Sequence, residues 1–559
     1  MHIGIVDRYQ DLKRYSHIAS VFVRYGFGEL LDRLRAEHYL PRRRRVFGRK
    51  AGEFRHLSTP ERLRRAFEEL GPTFIKLGQI LSTRADLLPP SFIQEFSKLQ
   101  DSAPPFPFAD ICDTIESEFR RPVSEVFLLI EERPLAAASL AQVHRARTGT
   151  GARVAVKVQR PHIRALLETD IRILHDFANL SERRLPESRY YQPVRLVNEF
   201  ARTIRRELDF VREGRNIERF RRYFAGDATV YIPKVYWDLS APKILTTEYI
   251  EGVKISDIDG LNAAGLDREA IAVNGADFTL KEVFEHHFFH ADPHPGNLFV
   301  LEDNVIAPVD YGMTGAISDD LADHILAIFI AVMDKDIDSL VRLLQEGNWV
   351  PENLDVDSFK LELQDFLERY HGLSLQEVNM SEVLGEAMNM IRRYRLHMPI
   401  DLVLMARALL VTEGVARMLY PEFNIVEHAG PYAKKLVRQR YGPIRYMREL
   451  YEVAGEAEAF ARRLPGEMGQ LLTKVMRGDL SIKFLHTGLE NLIMEMEKSS
   501  NRLSFAVVIA ALIIGSSLIF QSGLGPALLG YPVMGLVGFL FASILGIWLI
   551  ASIMRSGKL

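Results

Sequence analysis

Residues 290–312 read HADPHPGNLFVLEDNVIAPVDYG, and the fold of the whole chain turns on them. They carry a carboxylate at Asp292, an amide five positions on at Asn297, and a second carboxylate at Asp310, followed by Tyr311 and Gly312. Between these lie the apolar run Leu298-Phe299-Val300-Leu301, the polar turn Glu302-Asp303-Asn304, and then Val305-Ile306. That pattern predicts a β-hairpin. It holds Asn297 at the mouth of one strand and Asp310 at the end of the next. A carboxylate and an amide placed together suit Mg²⁺, a hard cation that takes oxygen ligands along with substrate phosphates. Asp292 is then left to orient or deprotonate a nucleophile.

The spacing from Asp292 to Asn297 agrees with the H-R-D-x-x-x-x-N loop of protein kinases, and Asp310-Tyr311-Gly312 with their D-F-G metal motif. Ala291 stands where the template has Arg, and Tyr311 where it has Phe. Such a site needs a strand lysine for the nucleotide phosphates. Residues 153–158, RVAVKV, match V-A-I-K with Lys157 in that role. The partner strand is expected within residues 134–146, across the turn Thr148-Gly149-Thr150-Gly151. Over the phosphates, where kinases place G-x-G-x-x-G, this chain has Ala136, Ala137, Ala138 and Ser139. Small residues let backbone approach a phosphate, although alanine restricts the positive-φ conformations that glycine supplies. A helical glutamate must position Lys157. In the charge-rich segment 198–216, Glu207 and Glu213 both qualify. Residues 243–252, KILTTEYIEG, predict a strand running into glycine, the place of a hinge that meets adenine around Glu248 and Ile250. After Gly312 the chain enters a helix at Ile317-Ser318-Asp319-Asp320, with no long activation segment and no A-P-E, so a platform for protein substrates is expected to be missing.

Upstream, residues 71–84, GPTFIKLGQILSTR, predict a helix opened by Pro72. Phe74, Leu77 and Leu81 share one face and Lys76, Gln79 and Thr83 another. Gly78 falls on the apolar side, where it permits close packing at a propensity cost of about 1 kcal/mol relative to Ala. Taken alone this is an ordinary amphipathic helix; beside the motifs above, Lys76 and Gln79 read as aimed into a site. Pro104, Pro105 and Pro107 mark residues 101–122 as a linker.

The 559 residues allow three or four domains, and 47% apolar with 26% charged residues suits a packed core. A net charge of −3 gives no general affinity for nucleic acid. The single cysteine, Cys112, excludes an internal disulfide and fits a reducing compartment. The first residues carry charges throughout and lack the apolar core of a secretory signal. Residues 503–554 contain no Asp, Glu, Lys, Arg or His, and break at Gln521–Pro526 and at Tyr531-Pro532 into two segments of spanning length, about Leu503–Phe520 and Val533–Met554. Lys498 and Arg502 precede them and Arg555 and Lys558 follow, which predicts a helical hairpin with both ends on the cytoplasmic side. Gly538, Ala542 and Gly546 form a small-xxx-small face for helix packing, within the chain or between two copies. The basic run Arg42-Arg43-Arg44-Arg45 suits a solvated face or anionic headgroups.

Together these residues resemble the UbiB family of atypical kinase-like ATPases, which support ubiquinone biosynthesis. The resemblance spans roughly residues 60–435 and rests on K-x-G-Q at Lys76, Gly78 and Gln79, the alanine-rich loop, V-A-V-K at Lys157, and E-x-D at Glu207 and Asp209, with Glu213, the H-x-D-P-H-P-G-N loop and D-[FY]-G at Asp310. It implies an α+β, bilobal protein-kinase-like fold with an N-terminal helical extension and a C-terminal transmembrane helical hairpin. The divisions expected are a basic helical region (1–60), the K-x-G-Q extension (61–122), the small lobe (123–252), the helical large lobe (253–435), an amphipathic linker (436–502) and two transmembrane helices (503–554). The implied cofactors are ATP and Mg²⁺. Lys157 would bind phosphates and pair with Glu213, Glu207 being the alternative. Asn297 and Asp310 would hold the metal, and Asp292 would orient water or a hydroxyl. Lys76 and Gln79 would fold over the site onto Glu207 and Asp209 as a regulatory element. The implied setting is the inner face of a bacterial cytoplasmic membrane, with isoprenoid quinone precursors, other membrane lipids or quinone-biosynthesis enzymes as partners. Two readings compete: a true kinase for a protein or small molecule, and a non-catalytic lipid-binding scaffold that senses nucleotide. A zinc site at His286 and His290, spaced i, i+4, is a lesser alternative.

Overall fold

The computed structural model describes residues 5–33, 54, 56–84, 86–99, 104–351, 353–370, 380–440, 489–522, 526–528 and 531–555. It divides into two compact units, Met1–Arg448 and Glu449–Leu559. The Arg42–Arg45 run and most of the expected 436–502 linker lie outside the described residues.

The first unit opens with helices α1 (Ile5–Arg24), α2 (Thr59–Leu70), α3 (Pro72–Ser82) and α4 (Pro90–Phe96). Ser58 caps α2 by accepting the Glu61 N–H, and Gly71, at φ 94°, turns the chain directly into α3 with Pro72 at its first position. Only glycine adopts that backbone without strain. Phe67, Phe74, Leu77 and Phe96 from this extension share one core with Leu167 and Ile171 of α6 (Ile163–Arg184) and Phe200 and Ile204 of α7 (Pro193–Glu207).

Five short strands form the small-lobe sheet: β1 (Leu129–Ile130), β2 (Ala136–Ala137), β3 (Ala141–Arg147), β4 (Arg153–Gln159) and β5 (Ile244–Glu248). The order is β1-β3-β4-β5, with β2 also on β3 and every pairing antiparallel. Alternation along β4 sends Val154, Val156 and Val158 to one face, where Ile111 and Ile115 of α5 (Phe108–Phe119) cover them. The other face presents Lys157 to α8 (Phe210–Tyr223). The expected linker at 101–122 is therefore corrected. Its prolines occupy residues 104–107, and Pro107 opens a helix that the exposed apolar face of the sheet requires.

In the large lobe, α9 (Arg268–Phe284) packs against α14 (Ile400–Leu419). The predicted hairpin is present as β8 (Leu298–Val300) and β9 (Ile306–Pro308), paired Leu298↔Pro308 and Val300↔Ile306, with β6 (Val253–Lys254) on its edge. Beside it β7 (Phe288–His290) pairs with β10 (Thr314–Ala316), and Ser318 caps α10 (Asp319–Met333) at once. Helices α11 (Ile337–Glu346), α12 (Val356–Tyr370), α13 (Met380–Tyr394) and α15 (Ile425–Arg440) complete the lobe.

The second unit is a hairpin of α16 (Leu489–Ser522) and α17 (Val533–Arg555). Each contains a span long and apolar enough to cross a membrane, Ser500–Ile519 and Val533–Ile550. Large side chains such as Leu503, Ile514, Met534 and Ile547 face outward. The small-residue face is used within the chain. A Cβ on Gly538 would lie 2.1 Å from Ser516 Oγ, and Ala542 is buried, while Gly546 meets nothing.

Candidate active site

The strand lysine and its acids meet where the sheet faces α8. Lys157 Nζ donates to Glu213 at 2.8 and 3.0 Å and lies 3.4 Å from Asp310 Oδ1. Glu213 is therefore its partner, and Glu207 is engaged elsewhere. The physical reason is a break in the charged segment: α7 ends at Glu207 and Asp209 caps α8, accepting the Arg212 N–H at 3.1 Å. This turns Glu213, in the first turn of α8, inward to near-complete burial. Glu207, at the end of α7, instead receives Lys76 at 2.6 Å. The accompanying contact expected between Gln79 and Asp209 is not formed. Gln79 Nε2 donates to the Leu99 carbonyl at 3.0 Å, and the Thr83 hydroxyl returns to Ile80. Of the polar face of α3, only Lys76 reaches the site.

The electrostatics bind this cluster together. Burial acts to lower the Lys157 pKa, but Asp310 and Glu213 outweigh it and hold the ammonium above the usual lysine value. Burial pushes Glu213 up to about 7, with Asp310 adding to the push and Lys157 opposing it. For Asp310 burial is outweighed by Lys157 and the Gly312 N–H, so its carboxyl stays well below the usual range. Gly312 packs closely on these acids. A Cβ would sit 3.3 Å from Asp310 Oδ1 and 3.9 Å from Glu213 Oε2.

The Asp292 loop is wired to the Asp310 motif through His290. Its Nε2 bonds the Asp310 carbonyl, and its Nδ1 accepts the Asp292 N–H at 3.1 Å. Burial lowers its pKa, which favours the neutral ring with a proton on Nε2. The Val309 N–H donates to the Asn297 carbonyl at 3.0 Å, so the hairpin carries Asn297 across from the residue preceding Asp310. Among the described residues the Asn297 side chain has no hydrogen-bond partner. No cluster of three or more His, Cys, Asp or Glu side chains forms a metal cage among them. One carboxylate and one available amide fit Mg²⁺ completed by water and nucleotide phosphates. The zinc alternative fails: α9 stops at Phe284, the His286 ring stacks on Tyr223 at 4.3 Å, and His290 is committed to Asp310 and Asp292.

The alanine loop lies on the edge of β3. Ala136 and Ala137 form β2, the Ala138 N–H turns back to the Ala141 carbonyl, and none of the three has positive φ, so alanine is tolerated. Arg160 clamps this turn through the carbonyls of Ala138 and Ser139, both at 3.2 Å. At the expected hinge, Glu248 receives the Tyr231 hydroxyl and the Lys234 N–H, while the Ile250 N–H has no acceptor among the described residues.

Three contributors carried no sequence signal of their role. Arg407 reaches from α14 to Asp292 at 2.9 Å. It supplies a guanidinium to a loop whose own position before Asp292 is Ala291. Asn216 Nδ2 holds the Tyr311 carbonyl at 3.1 Å, and Arg160 holds the alanine loop. Tyr311 is fully buried, with its ring against Phe220.

A two-lobed fold with a strand lysine, a buried helical glutamate, and an Asp–Asn–Asp set flanking a hairpin defines the kinase-like class of nucleotide sites. Comparison with known proteins agrees. The model of the ABC1 atypical kinase-like domain matches residues 98–344, the UbiB helical domain 363–424, and the ABC1/UbiB kinase-like C-terminal domain 487–555. A Xanthomonas campestris protein named "Probable protein kinase UbiB" is 34% identical over 529 residues, 92% of this chain and 94% of its own. One from Pseudomonas paraeruginosa with the same name is 37% identical over 418 residues, 74% and 76% of the two chains. A Clostridium pasteurianum protein described as an "Uncharacterized protein in hydrogenase 1 5'region" is 32% identical over 98% of this chain and 99% of its own. The chain belongs to the UbiB family of atypical kinase-like proteins.

Proposed function

We propose that this protein binds ATP with Mg²⁺ and hydrolyses it at a membrane, in support of ubiquinone biosynthesis. The observation that carries the reading is the Lys157–Glu213 pair set 3.4 Å from Asp310, with the Asn297 amide, unbonded among the described residues, in the turn that leads into β8. Lys157 would neutralise nucleotide phosphates, and Asn297 and Asp310 would hold the ion. Bound there, Mg²⁺ supplies charge stabilisation for the transferred phosphoryl group. Asp292, positioned by Arg407, would orient the attacking oxygen and take its proton. The short passage from Gly312 through β10 to α10 favours water over a protein hydroxyl as acceptor, because it leaves no segment to seat a peptide. The apolar hairpin supports a membrane setting, and the relatives named UbiB support the quinone role.

The test uses the full chain in detergent with γ-labelled ATP and anionic vesicles. Labelled inorganic phosphate should accumulate, and Asp292→Asn should lower the rate by about 10²–10⁴-fold. Arg407→Ala should cost less, about 1.5–3 kcal/mol for one charge-assisted hydrogen bond. Label appearing on a protein or lipid instead of free phosphate would turn the reading to a true kinase.

A further inference from the structure

The segment that delivers both glutamates carries a second charged feature. Along α7, Asn198, Arg202, Arg205 and Arg206 share a face at three- and four-residue spacing. With Asp209 and Arg212 across the junction they line an open groove of about 480 Å³. Two of these groups are engaged: Arg205 donates to Glu168 at 2.8 and 2.7 Å, and Asp209 caps α8. The side chains of Arg202, Arg206 and Arg212 have no hydrogen bond or ion pair among the described residues. Burial, then the positive charges of Arg212 and Arg202, depress the Arg206 pKa, and Asp401 answers them only in part.

The helix dipole accounts for part of this. Arg205 and Arg206 stand in the last turn of α7, where cations are favourable. Arg202 lies a turn earlier, and Arg212 lies in the first turn of α8, where a cation is unfavourable. Three exposed guanidiniums line one groove, with Asp401 offsetting only part of the Arg206 charge, so the groove favours an anion from outside, and their forks match phosphate oxygens.

We propose that this groove binds a phosphate group, free or on a lipid headgroup, between Arg202, Arg206 and Arg212. The site is separate from the nucleotide phosphates, which fall to Lys157. It brackets the Leu208-Asp209 junction that joins Glu207, the partner of Lys76, to Glu213, the partner of Lys157. A phosphate bound there braces the junction on which both ion pairs depend.

The experiment titrates inorganic pyrophosphate into the full chain in phosphatidylcholine nanodiscs by calorimetry, without Mg²⁺ or nucleotide. Its outcome is thus independent of ATP turnover. Arg206→Gln with Arg212→Gln should weaken binding about tenfold or more, whereas Lys157→Ala should retain it. Arg206→Lys with Arg212→Lys, which keeps the charge but loses the fork, should recover part of the affinity and exclude misfolding as the cause. Binding that falls only with Lys157→Ala, or is unchanged in the glutamine variant, would overturn the proposal. Nanodiscs containing phosphatidic acid separate the sources: pyrophosphate binding lost there assigns the groove to a headgroup, and binding retained assigns it to free phosphate.

Discussion

Glu213 makes a titratable prediction. Its pKa is pushed up to about 7, chiefly by burial, and only the carboxylate can hold Lys157 against the nucleotide. Protonation as pH falls through about 7 therefore dissolves the pair, and nucleotide affinity measured without Mg²⁺ should rise with pH and level off above that value. Glu213→Gln should remove the step. An ion on Asp310 cancels that residue's share of the upward push, so Mg²⁺ should move the midpoint down. At this scale chemistry and spacing coincide in the sequence at Asp292, Asn297, Asp310 and Lys157, and the structure places Lys157 beside Asp310. The sequence could not choose between Glu207 and Glu213, because the choice is made by Asp209 capping a new helix between them. Arg407 lies 115 residues from its partner Asp292, and no local pattern marks it.

Among the elements, α3 shows what its glycine does. A Cβ on Gly78 would lie 2.2 Å from Leu99 Cδ1 and 3.0 Å from Phe67 Cδ2, both in buried side chains. Gly78→Ala gains about 1 kcal/mol of helix propensity but overpacks this contact by about 1–3 kcal/mol. The thermal midpoint should fall, and the Lys76–Glu207 pair should loosen with it; a rise would show that Leu99 can yield. The helix itself, its Pro72 start and its apolar face were legible from periodicity. Helix α5 was not, since Pro104, Pro105 and Pro107 drew attention to the turn before it. Its Ile111 and Ile115 signal a helix only once a sheet face is known to need covering.

Over the whole molecule, the apolar tail and the motif order were enough to anticipate a kinase-like body followed by a helical hairpin, because both signals are continuous in sequence. What the sequence could not express is how the lobes share cores. The extension packs on α6 and on α7, the helix that ends in Glu207, so α3 and the Lys157 site are mechanically one structure. The small-residue stripe on α17 is likewise spent on α16 at Gly538, which leaves only its Gly546 end open to a second copy.

The central claim is a Mg²⁺-dependent nucleotide site built on Lys157, Asn297 and Asp310. Calorimetric titration of ATP into the full chain in detergent, with and without Mg²⁺, tests it most directly. Binding that Mg²⁺ strengthens, with that gain lost in Asp310→Asn and overall affinity lost in Lys157→Ala, is the predicted result. ATP affinity indifferent to Mg²⁺ and to both substitutions would contradict it.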